Sequence, residues 1–125
     1  MHGIEHALSG YYDITHGEGL AIITPHWMRH VLNERTQERI VKFGVNVFGL
    51  AADQAPSEIA EQTIARTAQF FKSLGMPMTL REVGIDDSRL EEMAHHIAVN
   101  EGLDAPGTFA PLNEQDILSI LKAAL

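Results

Sequence analysis

The stretch Thr15-His16-Gly17-Glu18-Gly19-Leu20-Ala21-Ile22-Ile23-Thr24-Pro25-His26-Trp27-Met28-Arg29-His30-Val31-Leu32 decides the fold. Its apolar residues, Leu20, Ala21, Ile22, Ile23, Trp27, Met28, Val31 and Leu32, fall nearly all round a helical wheel. A surface helix has one apolar stripe, whereas a helix apolar on every side belongs in the middle of a bundle. Thr15 is placed to cap its start, with Glu18 three residues on in a capping-box pattern. Pro25 lies inside and is expected to kink the helix, because proline removes a backbone donor.

Working outward, the same helical period continues in both directions. Residues 2–12 carry Ile4, Ala7, Leu8 and Tyr11 at three-to-four spacing, and Asp13-Ile14-Thr15 breaks the pattern. Thr36 is expected to cap a third helix through Phe48, with Ile40, Val41, Phe43, Gly44, Val47 and Phe48 inward and Gly49 as its stop. Pro56 suits the first position of a fourth helix. Ile59, Ala60, Ile64, Thr67, Ala68, Phe71 and Leu74 form its stripe, and Gly75 ends it. Residues 76–80 read as extended. Asp86, Asp87 and Ser88 offer caps for a fifth helix to about Val99, and a loop holding Gly102, Pro106, Gly107 and Pro111 follows. Asn113 caps a last helix with Ile117, Leu118, Ile120 and Leu121 inward. Strand signals are nearly absent, so the expectation is an all-α bundle of about six helices in one domain, residues 1–125.

Composition narrows the function. The chain has 125 residues, enough for one domain with a modest core. It has 9 Lys and Arg against 17 Asp and Glu, a net charge of -8, which makes a phosphate backbone a poor partner. No cysteine is present, so disulfides and thiolate metal ligands are excluded. No apolar run is long enough to span a bilayer and no secretory signal is evident, so a cytoplasmic protein without membrane or nucleic-acid partners is expected.

Three of the seven histidines stand in the first sixteen residues: His2, His6 and His16. Imidazole is the commonest protein ligand for divalent transition metals. Spacing of four puts His2 and His6 on one helix face, which taken alone pairs these two on a metal. Glu5, Asp13 and Glu18 lie nearby, but caps and solvated faces account for them. His26 and His30 read as core-edge groups. His95 and His96 are adjacent, so their side chains diverge and belong on the surface. Tyr11 and Tyr12 read as packing aromatics. Gly17-Glu18-Gly19 lacks a preceding strand and a third glycine, so it is no dinucleotide fingerprint.

The string His2-Gly-Ile-Glu-His6-Ala-Leu-Ser-Gly-Tyr-Tyr-Asp-Ile-Thr-His16-Gly17, a His-x3-His-x9-His-Gly pattern, resembles half of the metal site of iron-containing (group III) alcohol dehydrogenases. It is most similar to their butanol dehydrogenase branch. Pro25-His26, Leu74-Gly75-Met76-Pro77 and Leu80-Arg-Glu-Val-Gly84-Ile extend the resemblance over the whole chain. Members have an N-terminal α/β domain that binds NAD(P) and a C-terminal all-helical domain that carries the metal. The resemblance implies that this chain is the C-terminal domain, without the nucleotide-binding domain. Four ligands hold the metal in that family, one Asp and three His, and the first two lie upstream.

By matching the motif, His2 and His16 resemble the last two ligands of a divalent ion, Fe2+ with Zn2+ as the alternative. His6 resembles the non-ligand histidine that faces the nicotinamide and the alcohol and relays a proton, a catalytic and cofactor-binding role. The implied reaction is alcohol or aldehyde oxidoreduction by metal-assisted hydride transfer, with this chain alone inactive. The implied partners are a small alcohol or aldehyde and the N-terminal domain. A homo-oligomer is expected through an apolar surface uncovered near residues 1–25. The alternatives are a stand-alone helical module that binds metal through His2, His6 and His16 without redox chemistry, and a helical interaction domain with incidental histidines.

Overall fold

The computed structural model describes residues 1–105 and 108–125; the expected loop residues Pro106 and Gly107 lie outside the described residues. Among the described residues there are six α-helices and no strand: α1 (His2–Tyr12), α2 (His16–Val31), α3 (Glu34–Phe48), α4 (Pro56–Ser73), α5 (Leu90–Asn100) and α6 (Glu114–Ala123). A 3₁₀ turn, Arg81–Val83, lies between α4 and α5. None of the described helices is long and apolar enough to cross a membrane.

Short polar residues set most of the boundaries. Thr15 caps α2 by accepting from the Glu18 backbone N–H. Asn113 opens α6 in a full capping box with Asp116. The start of α3 differs from expectation. Asn33 is the cap and accepts from the Arg35 and Thr36 N–H groups, while Thr36 closes the box from inside by accepting from the Asn33 N–H. For α5, Asp86 caps the preceding turn through Ser88 rather than the helix itself, whose N-cap is Arg89. The α3 stop is as read: Gly49 takes φ 67°, a left-handed conformation that costs glycine little. Helix α2 continues through Pro25 to Val31, so the proline does not end it.

Helix α2 is central. It packs against α1, α4 and α6, and Ala21, Ile22 and Ile23 are buried. The main core lies on one side of it, where Ile4 and Leu8 of α1 meet Ile22, Ile23, Leu90, Met93, Ile97, Ile117 and Ile120. A smaller cluster lies on the other side: Met28, Ile40, Ala60 and Ile64, joining α2 to the α3–α4 pair. Phe43, Val47 and Leu74, expected inward, are exposed, at 41%, 59% and 62%. The large exposed apolar side chains of the described residues are these three with Phe70 and Val99, so none lies within residues 1–25, where an uncovered patch was expected.

Candidate metal site

Helices α1 and α2 run antiparallel, which lays the first half of α1 against residues 19–24 of α2, with His16 one turn away. The pairing reads along the two helices as Ser9 beside Ile14, Glu5 beside Gly19 and Met1 beside Thr24. The decisive side chain is Glu5. Solvation was expected for it, but its exposure is 0%, and it is the buried acid among the described residues. It sits where α1 faces α2, one position beyond the Ile4–Leu8 stripe. Space for it comes from Gly19: a β-carbon there would stand 2.5 Å from Glu5 Cγ and 2.7 Å from Oε1. The carboxylate contacts His16 Nδ1 through Oε2, and Ser9 Oγ donates to Oε1. Burial of a carboxylate is costly unless both oxygens are paired, and here both are.

The rings of His2 and His6 both lie beside His16, and the donor atoms close enough to share an ion are those of Glu5, His6 and His16, a group that does not include His2. The His16 ring lies 5.5 Å from the His2 ring and 5.9 Å from the His6 ring, centroid to centroid. Glu5, His6 and His16 each offer a ligand atom within 4.8 Å of the others. His6 also faces Glu101, with Nδ1 to Oε2 at 3.7 Å. The Glu101 segment is pressed against α1 because Gly3 lacks a side chain; a β-carbon there would lie 3.0 Å from Leu103 and 3.2 Å from Glu101. Sequence reasoning missed both acids. The signal for Glu5 was present: an acid adjoining the inward stripe of α1, opposite a helix that carries glycine at 17 and 19.

The remaining histidines are separate from the site. His30 pairs with Asp116 at 2.9 Å and so ties α2 to α6. Burial tends to raise the Asp116 pKa, but the Asn113 backbone N–H and His30 outweigh it and hold the carboxyl below its ordinary value. Burial, with repulsion from Arg29, lowers the His26 pKa. His95 and His96 are exposed, as read; His95 pairs with Glu114 at 3.2 Å, and Asn100 sits beside His96. Tyr11 packs edge-on to His96 and beneath Arg89, whose guanidinium carbon is 4.5 Å from the ring centre. Among the described residues, Gly17 has only the tip of Met76 near it, at 3.6 Å.

With the rings of His2 and His6 beside His16 and the Glu5 carboxylate behind it, the chain is a helical domain that carries a nitrogen-rich donor set, a composition that suits divalent transition ions. The chain belongs to the Fe-containing alcohol dehydrogenase family, whose C-terminal part matches residues 1–125. It is 47% identical over 121 residues to NADH-dependent butanol dehydrogenase A of Clostridium acetobutylicum, covering 97% of this chain and 31% of the relative. It is 42% identical to probable NADH-dependent butanol dehydrogenase 1 of Bacillus subtilis, covering 99% and 31%. Among solved structures it resembles NADH-dependent butanol dehydrogenase A of Thermotoga maritima, with 30% identity and a TM-score of 0.82 over 98% of this chain and 32% of that one. The chain thus spans about a third of the length of the curated relatives it matches, their C-terminal part.

Proposed function

We propose that this chain is the metal-carrying helical domain, residues 1–125, of an NAD(P)-dependent alcohol dehydrogenase that interconverts small alcohols and aldehydes. The observation that carries the reading is the gathering of the His2 and His6 rings beside His16, where the first half of α1 lies against α2. Their spacing along the chain is the family pattern, and the donor set fits a divalent transition ion. In this reading His2 and His16 hold Fe2+ or Zn2+, and an Asp and a His from a preceding segment complete the set. His6 stays off the metal, faces the nicotinamide and the alcohol, and relays the hydroxyl proton, with Glu101 beside it to orient the ring.

When bound, the ion supplies Lewis-acid activation of the substrate oxygen and the nicotinamide supplies hydride chemistry. The residues of this chain position the oxygen, carry its proton at His6 and wall off one side of the pocket. An α/β domain elsewhere in the longer protein binds the cofactor, so this chain alone turns over no alcohol. A cytoplasmic location and a homo-oligomeric enzyme belong to the same reading, and the relatives' NADH-dependent names support the cofactor class.

Calorimetric titration of the chain with Zn2+ tests the ligand assignment. The expected result is one weak site, lost in His2→Ala and in His16→Ala and kept in His6→Ala. Binding should also weaken in acid, because an imidazole must be neutral to bind a metal. Loss in His6→Ala with retention in His2→Ala would replace this set with Glu5, His6 and His16.

A further inference from the structure

The buried carboxylate of Glu5 has no part in the reading above, and its surroundings are specific. We propose that Glu5 is a positioning residue for His16: it holds the imidazole by Nδ1, so that Nε2 is left unprotonated and directed to the metal, and it is not itself a ligand. This inference rests on the metal-binding reading and deepens it.

Three observations on two helices support it. First, both oxygens are already used. Oε2 meets His16 Nδ1 and Oε1 accepts from Ser9 Oγ, one turn further along α1. With the carboxylate as acceptor, the ring nitrogen it meets carries the hydrogen and the other is the nitrogen free for a metal. Second, the carboxylate is enclosed, with an exposure of 0%, whereas the His16 side chain is 51% exposed. The imidazole therefore reaches outward while its partner stays inside, which is the arrangement by which a carboxylate fixes the ring orientation of a metal-binding histidine. Third, the niche is made for this side chain. A β-carbon on Gly19 would overlap the Glu5 Cγ and Oε1 positions, so α2 has given up a side chain where α1 inserts one.

The rival arrangement has Glu5 ligating directly together with His6 and His16, whose ligand atoms are close enough to share an ion. It would require the carboxylate to leave His16 Nδ1 and move out of an enclosed niche. A purely structural rival has the Glu5–His16 pair only pinning α1 to α2, with no effect on which nitrogen is free.

The test is the tautomer of His16, read in the metal-free full chain at pH 8 by long-range 1H–15N correlation of 15N-histidine-labelled protein, alongside Zn2+ affinity by calorimetry. The wild type should show Nδ1–H and an unprotonated Nε2. The double variant Glu5→Ala/Gly19→Ala removes the carboxylate and refills its niche. It should remain helical, lose the Nδ1–H preference and bind Zn2+ about 10–100-fold more weakly. Glu5→Gln keeps an acceptor oxygen and should retain the tautomer with a smaller loss of affinity. If the double variant shifts the tautomer although neither protein binds Zn2+, the positioning of His16 stands and the metal reading fails. An unchanged tautomer in the double variant overturns the proposal, whether Zn2+ binding survives, as in a purely structural pair, or disappears, as for a direct ligand.

Discussion

The two sides of α2 are built differently. On one side α1, α5 and α6 close a continuous core in which Ile4, Leu8, Ile22, Ile23, Met93, Ile97, Ile117 and Ile120 are all fully buried. On the other, the α3–α4 pair sets Ile40, Ala60 and Ile64 against Met28 of α2 in a patch of four buried apolar residues and leaves Phe43, Val47, Phe70 and Leu74 largely exposed. Its inner seam is partly polar: Thr63 and Thr67 are buried, each hydroxyl donating to the carbonyl four residues back, Ile59 and Thr63 respectively. The histidine cluster stands on the well-packed side. In the proposed reading this matters, because a metal site loses function when its side chains move by about an ångström and gains from deep apolar support.

The largest expected effect tests that contrast directly. Ile22→Ala should cost about 3–5 kcal/mol in urea unfolding, because it opens a cavity in the main core, and Ile64→Ala on the other side nearer 2 kcal/mol. Equal costs, or the reverse order, would mean that the two sides are equivalent. A smaller effect is expected at the α3–α4 seam, where a β-carbon on Gly44 would overlap Thr63 Oγ1. Gly44→Ala should destabilise by about 1–3 kcal/mol and leave Zn2+ binding unchanged, and Thr63→Ala in the same chain should recover much of the loss. Failure of that rescue would remove the steric account of the seam.

The smallest effect separates the polar ties on the two sides. His30–Asp116 joins α2 to α6, and Arg29–Glu61 joins α2 to α4 at 3.1 Å with both side chains 55% exposed. The Asp116 pKa is lowered in the fold, so its contribution is full above the ordinary carboxylate value near 3.9 and is lost as pH falls through the lower folded value. Asp116→Asn should therefore flatten the acid limb of the stability–pH curve, whereas Glu61→Gln should change stability by less than about 0.5 kcal/mol at any pH. Identical acid limbs in the wild type and Asp116→Asn would contradict this.

The contrast between the two sides was only half legible in the sequence. The central helix, the six-helix count and the caps at Thr15 and Asn113 followed from period and short polar residues, because those signals are local. Phe43, Val47 and Leu74 misled for the opposite reason. Helical period marks a stripe as apolar, but whether a neighbour covers it is a tertiary matter, and no described neighbour buries these three. The α3 cap moved from Thr36 to Asn33 because both residues belong to one box, and only geometry tells which stands outside the helix. At the site, the histidines were readable from spacing. Glu5 was not, because an acid on a helix is usually solvated, and its burial depends on a glycine fourteen residues away.

The central claim is that His2 and His16 hold the metal while Glu5 backs His16 from inside. A crystal of the chain soaked in Zn2+, with anomalous data at the zinc edge, tests it most directly. The account predicts one ion at about 2.0–2.1 Å from His16 Nε2 and from a ring nitrogen of His2, with Glu5 still on His16 Nδ1 and His6 outside bonding distance. An ion bound by the Glu5 carboxylate and His6, with His2 turned away, would contradict it.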